Sequence, residues 1–199
     1  PELIDDAGDL YCALGWAFAR GKGRRASRYD APARVFSACG GAAIYRRSVF
    51  EEIGFFDENH FAYLEDLDIG YRAGIYGYRN AYEPDARVHH FGSASTGSRY
   101  NAFKTRRACA NSVYVIYKNM PFLQLLINLP FLSVGFIVKF LFFLKKGMAG
   151  LYFQGFLDGV RLACSPEGRR HKVPFSVGHL KNYLVIQWTL YINTLRFFF

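Results

Sequence analysis

Three carboxylates lie within four residues of one another, at Glu65, Asp66 and Asp68, directly after the aromatic-rich segment 61–64. A histidine, His90, follows later in the chain. Carboxylates and imidazoles are side chains that often transfer protons or bind metal ions in enzymes. The group is therefore compatible with a solvated helix start, a metal site, or the acid–base centre of an enzyme.

The spacing of the acids argues against one shared metal ion. If residues 66–72 are helical, successive side chains rotate by about 100°, so Asp66 and Asp68 point roughly 200° apart. Glu65 and Asp66 would instead lie at the helix N-terminus, where unpaired amide groups stabilise negative charge. A simple capping role for Asp66 is the alternative that the local sequence leaves open.

The carboxylates belong to an ordered series of short motifs. The series consists of Gly40-Gly41-Ala42, Phe56-Asp57-Glu58, Phe61-Ala62-Tyr63, Glu65-Asp66-x-Asp68, Arg72, Gly77-Tyr78, Pro84, His90 and Gly92-Ser93. In this order the motifs resemble the acceptor half of the family 2 glycosyltransferases of the GT-A fold, in particular the rhamnosyltransferase-like bacterial members. The resemblance covers about residues 1–120. Each motif alone is a weak signal, so the ordered set carries the resemblance.

The resemblance implies a role for each motif. Asp66 matches the general base, which takes the proton of the acceptor hydroxyl, and Glu65 beside it would orient the acceptor. His90 matches a ligand of the divalent ion, Mg²⁺ or Mn²⁺, on the diphosphate of the nucleotide-sugar donor. The loop Gly40-Gly41-Ala42 would lie beneath the donor sugar and the acceptor. Arg72 would lie on the helix behind the carboxylates, either in a structural ion pair or in contact with substrate.

The chemistry of glycosyl transfer agrees with these roles, but only for half of a site. Transfer from a diphosphate needs a base at the incoming hydroxyl and positive charge at the leaving phosphate. Full family members also carry a nucleotide-binding half with its own Asp-x-Asp motif, and residues 1–60 contain none. We therefore expect this chain, which opens without Met, to be part of a longer protein and to be inactive alone.

The charge of the chain is unevenly distributed. The net charge is +9, which favours anionic partners such as phosphorylated substrates, anionic lipid or nucleic acid. Of the 16 acids only Asp158 and Glu167 follow Asp85, so the second half is apolar and basic. The basic clusters are scattered and no nucleic-acid-binding motif accompanies them, so we expect no nucleic-acid partner. The four cysteines form no CxxC pair, which favours reduced thiols and a cytoplasmic protein.

An uncharged segment follows the motif region. Residues 119–138 contain no charge, and this length would cross a bilayer. Its polar and proline residues argue against a simple span: Pro121, Gln124, Asn128 and Pro130, with Lys139 just beyond. We expect a proline-broken amphipathic pair of helices in the membrane interface, with lysines directed to anionic headgroups. A transmembrane span and a buried packing helix are the alternatives.

Short elements are predicted for the motif region. Residues 20–34 have the composition of a surface loop, and 35–45 suit a strand broken at Gly40-Gly41. Ser48 and Glu51 form a capping-box pattern, which predicts a helix over 49–53 that ends at Gly54. A second helix is expected from about Glu65 to before Gly77. Residues 78–90 suit an extended segment with a turn at Pro84.

The sequence thus predicts an α/β chain in two parts. Residues 1–118 would form the acceptor and catalytic half of a GT-A glycosyltransferase domain, and 119–199 an apolar, basic, mainly helical membrane-associating region. The expected function is inverting, metal-dependent sugar transfer to a glycan or lipid-linked acceptor at the cytoplasmic face of a bacterial inner membrane. The alternative is a membrane-surface binding or scaffold protein with a decayed transferase site.

Overall fold

The computed structural model describes residues 3–90 and 100–199 as a mixture of helices and small sheets. Its strands are β1 (Asp9–Tyr11), β2 (Ala17–Ala19), β3 (Ala33–Val35) and β4 (Asn80–Tyr82). Its α-helices are α1 (Arg47–Ile53), α2 (Glu65–Ile75), α3 (Ala102–Asn119), α4 (Phe122–Lys145), α5 (Ala149–Cys164), α6 (Pro166–Arg170) and α7 (Leu180–Phe198). Short 3₁₀ turns occupy Ala26–Arg28, Gly40–Ala42, Glu58–His60 and Val177–His179. The motif Gly92-Ser93 lies outside the described residues.

The strands form two antiparallel ribbons rather than one large sheet. β1 pairs with β2, and β3 pairs with β4. The ribbons meet where the amide of Asp9 donates to the carbonyl of Ser37 at 2.9 Å. The strand predicted to lead to Gly40-Gly41 is wrong in position: β3 ends at Val35, and the glycines lie in a 3₁₀ helix at Gly40–Ala42.

The predicted helices of the motif region are present, but the first has no capping box. α1 begins at Arg47 after Arg46, with no side-chain cap, so Ser48 already lies inside the helix. Glu51 instead accepts a hydrogen bond from Nε of Arg47 at 3.0 Å. The predicted stop at Gly54 is confirmed, since its φ of 82° favours glycine. α2 matches the predicted second helix.

The main hydrophobic core joins both halves of the chain. It contains Tyr11 of β1, Tyr71 of α2, Val115 of α3, Leu132 of α4 and Leu190 of α7, all buried. Side chains from both sides of residue 118 therefore pack in one core. The division at 118/119 remains a prediction about function, and it does not mark a break in packing.

Two glycines allow α5 to approach α3 closely. A Cβ added at Gly155 would lie 2.3 Å from the carbonyl oxygen of Arg106, and one at Gly159 would lie 2.5 Å from that of Ala110. Both distances are far shorter than a carbon–oxygen contact. The backbone of α3 therefore packs directly on α5, which fixes the second helix of the apolar region against the motif region.

Polar side chains hold one face of α4 against the rest of the protein. Gln124 Oε1 accepts from the Tyr71 hydroxyl at 2.9 Å, and Asn128 exchanges two hydrogen bonds with Gln187 at 2.7 and 3.0 Å. Further along the same face, the Gly135 carbonyl accepts from the indole N–H of Trp16 at 3.1 Å. Because Gln124, Asn128 and Gly135 are four and seven residues apart, which is close to one and two helical turns, they lie on one side of the helix.

The opposite face of α4 is apolar and exposed. Its exposed side chains include Leu123, Leu126, Ile127, Val134, Ile137, Val138, Leu141 and Leu144. Among the described residues α4 alone has the length and hydropathy to cross a membrane. Only 17% of its most apolar 18-residue stretch is buried inside the protein. The predicted break at Pro130 is wrong, because the helix continues through it on the exposed side. Lys139 does not face outward as predicted: it is half-buried, with Nζ 5.7 Å from the Trp16 ring centroid.

Candidate active site

A strained turn places the carboxylates at the start of α2. Phe61, Tyr63 and Leu64 have φ angles of 55°, 70° and 66°, a region that side-chain-bearing residues rarely adopt. Leu64 is the last residue before the helix and offers no side-chain cap. Glu65 and Asp66 are consequently the first two helical residues, next to unpaired amide groups.

The strained turn is held from α3 by one buried side chain. The Nδ2 atom of Asn111 lies 2.9 Å from the carbonyl oxygen of His60 and 2.8 and 2.7 Å from those of Ala62 and Tyr63. Asn111 is 1% exposed, so no water competes for these bonds. Such strain persists only where the surroundings enforce it, and it is concentrated at functional sites.

Asp66 links α2 to the glycine loop. Its Oδ1 accepts from the amide of Leu67 at 2.7 Å, and its Oδ2 accepts from the amide of Gly40 at 2.9 Å. A Cβ added at Gly40 would lie 3.5 Å from the Asp66 carboxylate, so the loop lies directly against it. The structure therefore brings together Asp66 and the Gly40–Ala42 loop. Asp66 also bonds a first-turn amide, which is the capping alternative that the sequence left open.

Glu65 is half-buried beside Asp66. Burial raises its pKa, and the neighbouring negative charge of Asp66 adds to the rise. Its Oε2 atom is buried without a hydrogen-bond partner among the described residues. An acid with a raised pKa and an unpaired oxygen is able to donate a hydrogen bond to a bound hydroxyl, or to accept one from it.

Two further acids, Asp6 and Asp9, interact electrostatically with Asp66. Burial raises the pKa of Asp9 to about 8, and the charges of Asp6 and Asp66 contribute. Burial also raises the pKa of Asp6. Sequence reasoning missed both residues, because they precede the recognisable motifs. The signal that could have identified them is the dense acid pattern at Asp5, Asp6 and Asp9.

Asp68 faces the interior, away from Asp66. Its Oδ2 accepts from Nη2 of Arg72 at 2.7 Å and from Nζ of Lys118 at 2.8 Å, and Lys118 also contacts Asp57 Oδ2 at 2.8 Å. Burial raises the pKa of Asp68, but the charges of Arg72 and Lys118 outweigh it and leave that pKa below its ordinary value. The prediction that Asp66 and Asp68 do not share an ion is consistent with this geometry.

Arg72 is buried, and its guanidinium is fully used within the protein. Besides Asp68, it donates to the carbonyls of Ile53, Gly54 and Phe55 at 2.6 to 2.9 Å. With its two bonds to Asp68, all five guanidinium N–H groups have acceptors. These contacts support the structural alternative for Arg72 and leave no N–H for a substrate.

His90 lies at an exposed position beside Asp5. Its Nδ1 atom is 2.6 Å from Asp5 Oδ2, and the imidazole is 61% exposed. In residues 3–90 and 100–199 no three His, Cys, Asp or Glu side chains are grouped to hold a metal ion. A metal-binding histidine commonly bonds a carboxylate through its other nitrogen, so the pair fits one ligand position with Nε2 as the donor. The remaining ligands would have to come from elsewhere.

The comparisons with known proteins agree with the motif series. The profile of glycosyl transferase family group 2 matches residues 18–195. Two curated relatives, each named N-acetylglucosaminyl-diphospho-decaprenol L-rhamnosyltransferase, come from two strains of Mycobacterium tuberculosis and are 45% identical over 58 residues. The matched segment is 29% of this chain and only 19% of each relative. No solved structure matches significantly.

Proposed function

Because the chain belongs to glycosyl transferase family group 2, we propose that it forms the acceptor side of a site that transfers a rhamnose-like sugar to a lipid-linked glycan. The family match over residues 18–195 supports sugar transfer. The name of the partial relatives supports a lipid-diphosphate-linked acceptor and a rhamnosyl donor. The proposed donor is a nucleotide-diphospho-sugar, whose diphosphate would be the leaving group.

Asp66 is the proposed general base. One of its oxygens faces the open Gly40–Ala42 loop, and the 2.9 Å bond to the Gly40 amide is the observation that carries this assignment. The acceptor oxygen forms a bond to the anomeric carbon while the bond from that carbon to the diphosphate breaks. The hydroxyl proton passes to the Asp66 carboxylate. Attack opposite the leaving group inverts the anomeric configuration, and Glu65 orients the acceptor by hydrogen bonding.

The leaving diphosphate is the proposed place for a divalent ion. Mg²⁺ or Mn²⁺ would take one ligand from His90, with Asp5 supporting the imidazole. A bound ion would neutralise the negative charge that develops on the leaving group. We assign the residues that hold the nucleotide to sequence outside this chain, so the chain alone is expected to lack transferase activity.

The apolar face of α4 is the proposed membrane contact. Its polar face is fixed to the protein by Gln124 and Asn128, which favours a helix that lies along the membrane interface. The net charge of +9 suits an anionic surface, and a bacterial lipid-linked acceptor suits the cytoplasmic face of the inner membrane.

Product analysis tests this function. The complete gene product is incubated with a nucleotide-diphospho-rhamnose and a prenyl-diphosphate-linked N-acetylglucosamine, and the lipid product is isolated. We expect a new glycosidic bond whose anomeric configuration, read by NMR, is inverted relative to the donor. A retained configuration would contradict the single-displacement mechanism, and the absence of any sugar transfer would contradict the function.

A membrane-surface scaffold with a decayed site is the second candidate. The exposed face of α4 favours it, since membrane contact needs no catalysis. Vesicle binding by the complete gene product, with no response to any nucleotide sugar, would support this candidate against the transferase.

A further inference from the structure

We propose that a row of aromatic side chains leading from the carboxylates to the apolar face of α4 binds a polyprenyl-diphosphate-linked acceptor. This inference rests on the proposed function and specifies where its acceptor lies. We call the row the aromatic track. It consists of two ring clusters, Phe61–Tyr63–Phe103 and Tyr100–Phe142, and Tyr100 and Phe103 are three residues apart in the chain.

The first part of the aromatic track includes two residues that closely precede the carboxylates in the chain. The Phe103 ring, in the first turn of α3, lies 6.2 Å from Phe61 and 6.1 Å from Tyr63 between centroids. Tyr63 is two residues before Glu65, and Phe61 is 75% exposed. Asn111 enforces the strained backbone that presents these two rings. An exposed aromatic held by strain beside a candidate base is more readily explained by a ligand than by folding.

The second part of the aromatic track reaches the membrane-facing helix. Tyr100 precedes α3 by two residues and lies 5.5 Å from Phe142 of α4, between ring centroids. Phe142 is exposed beside Leu141 and Leu144 on the apolar face. The Tyr100–Phe142 pair therefore lies at the surface that we assign to the membrane, from which a prenyl chain would arrive.

Cations accompany both parts of the track. The Arg107 guanidinium carbon lies 5.6 Å from the Phe61 ring centroid. The Lys146 ammonium lies 5.6 Å from the Tyr100 centroid and 5.9 Å from that of Phe142. Aromatic faces suit hydrocarbon and the apolar faces of sugars, whereas guanidinium suits diphosphate oxygens. A lipid diphosphate combines these chemistries, and a soluble glycan has neither the chain nor the charge.

A binding measurement tests the inference without turnover. Farnesyl diphosphate is titrated into the chain by calorimetry, with inorganic diphosphate and farnesol as the partial ligands. We expect Phe103→Ala to weaken farnesyl diphosphate binding about tenfold, since it removes one large apolar contact. Arg107→Gln should cause a similar loss for farnesyl diphosphate and leave farnesol unaffected. Matched controls off the track are Phe55→Ala and Arg161→Gln, both at exposed positions, and we expect less than about a twofold change.

The outcomes separate this inference from the proposed function. Equal losses in track and control variants, or inorganic diphosphate binding as tightly as farnesyl diphosphate, would overturn the aromatic track. Circular dichroism of each variant confirms folding, and Phe103→Leu, which keeps an apolar side chain, should recover part of the affinity. If track-dependent binding is found but the complete gene product transfers no sugar, the proposed function fails and the lipid-diphosphate site stands. If transfer is found but binding ignores Phe103 and Arg107, the function stands and the track fails.

Discussion

Asp66 and Asp68 are two residues apart on α2, yet one carboxylate bonds the exposed Gly40 amide while the other is fully buried between Arg72 and Lys118. The rotation of the helix between the two residues directs one carboxylate outward and the other inward. The outward carboxylate is available to a substrate. The inward carboxylate joins α2 to Lys118 of α3, which also contacts Asp57, and so fixes the outward carboxylate in place.

Removal of the inward carboxylate should destabilise the protein strongly. Asp68→Ala leaves the buried charges of Arg72 and Lys118 without their shared partner, and such a loss typically costs about 3–5 kcal/mol. Chemical denaturation measures the free energy of unfolding. The control is Glu51→Ala, which removes an exposed pair with Arg47 and should cost less than about 0.5 kcal/mol. Equal effects of the two substitutions would contradict the buried network.

The pKa of Asp9 predicts an unusual alkaline loss of stability. Burial raises that pKa from 3.8 to about 8, so the folded protein holds a proton that the unfolded chain releases near pH 4. The corresponding stability is fully present below about pH 4 and is lost as the pH rises through about 8. Asp9→Asn cannot ionise, so its melting temperature should fall less than the parent's between pH 5 and pH 9. Parallel pH profiles for parent and variant would contradict the raised pKa.

Asn111 should be needed for the strained turn before α2. Asn111→Asp keeps the size of the side chain but removes its N–H donors to the three carbonyls. We expect a loss of about 1–3 kcal/mol, since buried carbonyls are left unpaired. Relative to the parent, hydrogen exchange should become faster at the amides of Leu67 and Asp68 and stay unchanged in α5. Unchanged exchange at the start of α2 would show that the turn keeps its conformation without Asn111.

A charge on the exposed face of α4 should weaken membrane binding without unfolding the protein. Ile137 is 58% exposed, so Ile137→Glu should change stability little but oppose insertion into an anionic interface. Co-sedimentation with vesicles of phosphatidylglycerol and phosphatidylethanolamine measures the binding. Val177→Glu, at an exposed position outside α4, is the control and should bind as the parent does. Equal binding by Ile137→Glu and the parent would place the membrane contact elsewhere.

The sequence predicted the parts of the site that depend on local pattern. The helix from Glu65 and the stop at Gly54 follow from residue types and spacing, and the structure has both. The loop predicted over 20–34 ends too late, because Ala33 and Arg34 belong to β3. The buried Gln124 and Asn128, which argued against a simple span, do turn toward the protein. Local rules succeed where the signal lies within a few residues.

The remaining features depend on contacts between distant residues. Ser48 and Glu51 have the spacing of a capping box, but Arg47 competes for Glu51 and the helix begins earlier. Pro130 did not break α4, which continues through it with the ring on the exposed side. The hydrogen bonds from Asn111 to the turn at 60–63 join residues that are about fifty positions apart in the chain, so no local pattern predicts them.

The rate of transfer by Asp66→Asn is the most direct test of the account. Asparagine keeps the size of the side chain and its single carbonyl oxygen can still accept the Leu67 amide hydrogen bond, but its NH₂ group cannot accept from the Gly40 amide and the side chain cannot take a proton at neutral pH. In the complete gene product, single-turnover transfer should fall by at least about 100-fold, the lower range for a general base, while donor affinity barely changes. Glu65→Gln is the matched neighbour and should reduce the rate less. Transfer by Asp66→Asn within about tenfold of the parent would mean that Asp66 only stabilises the start of α2, and the proposed mechanism would be wrong.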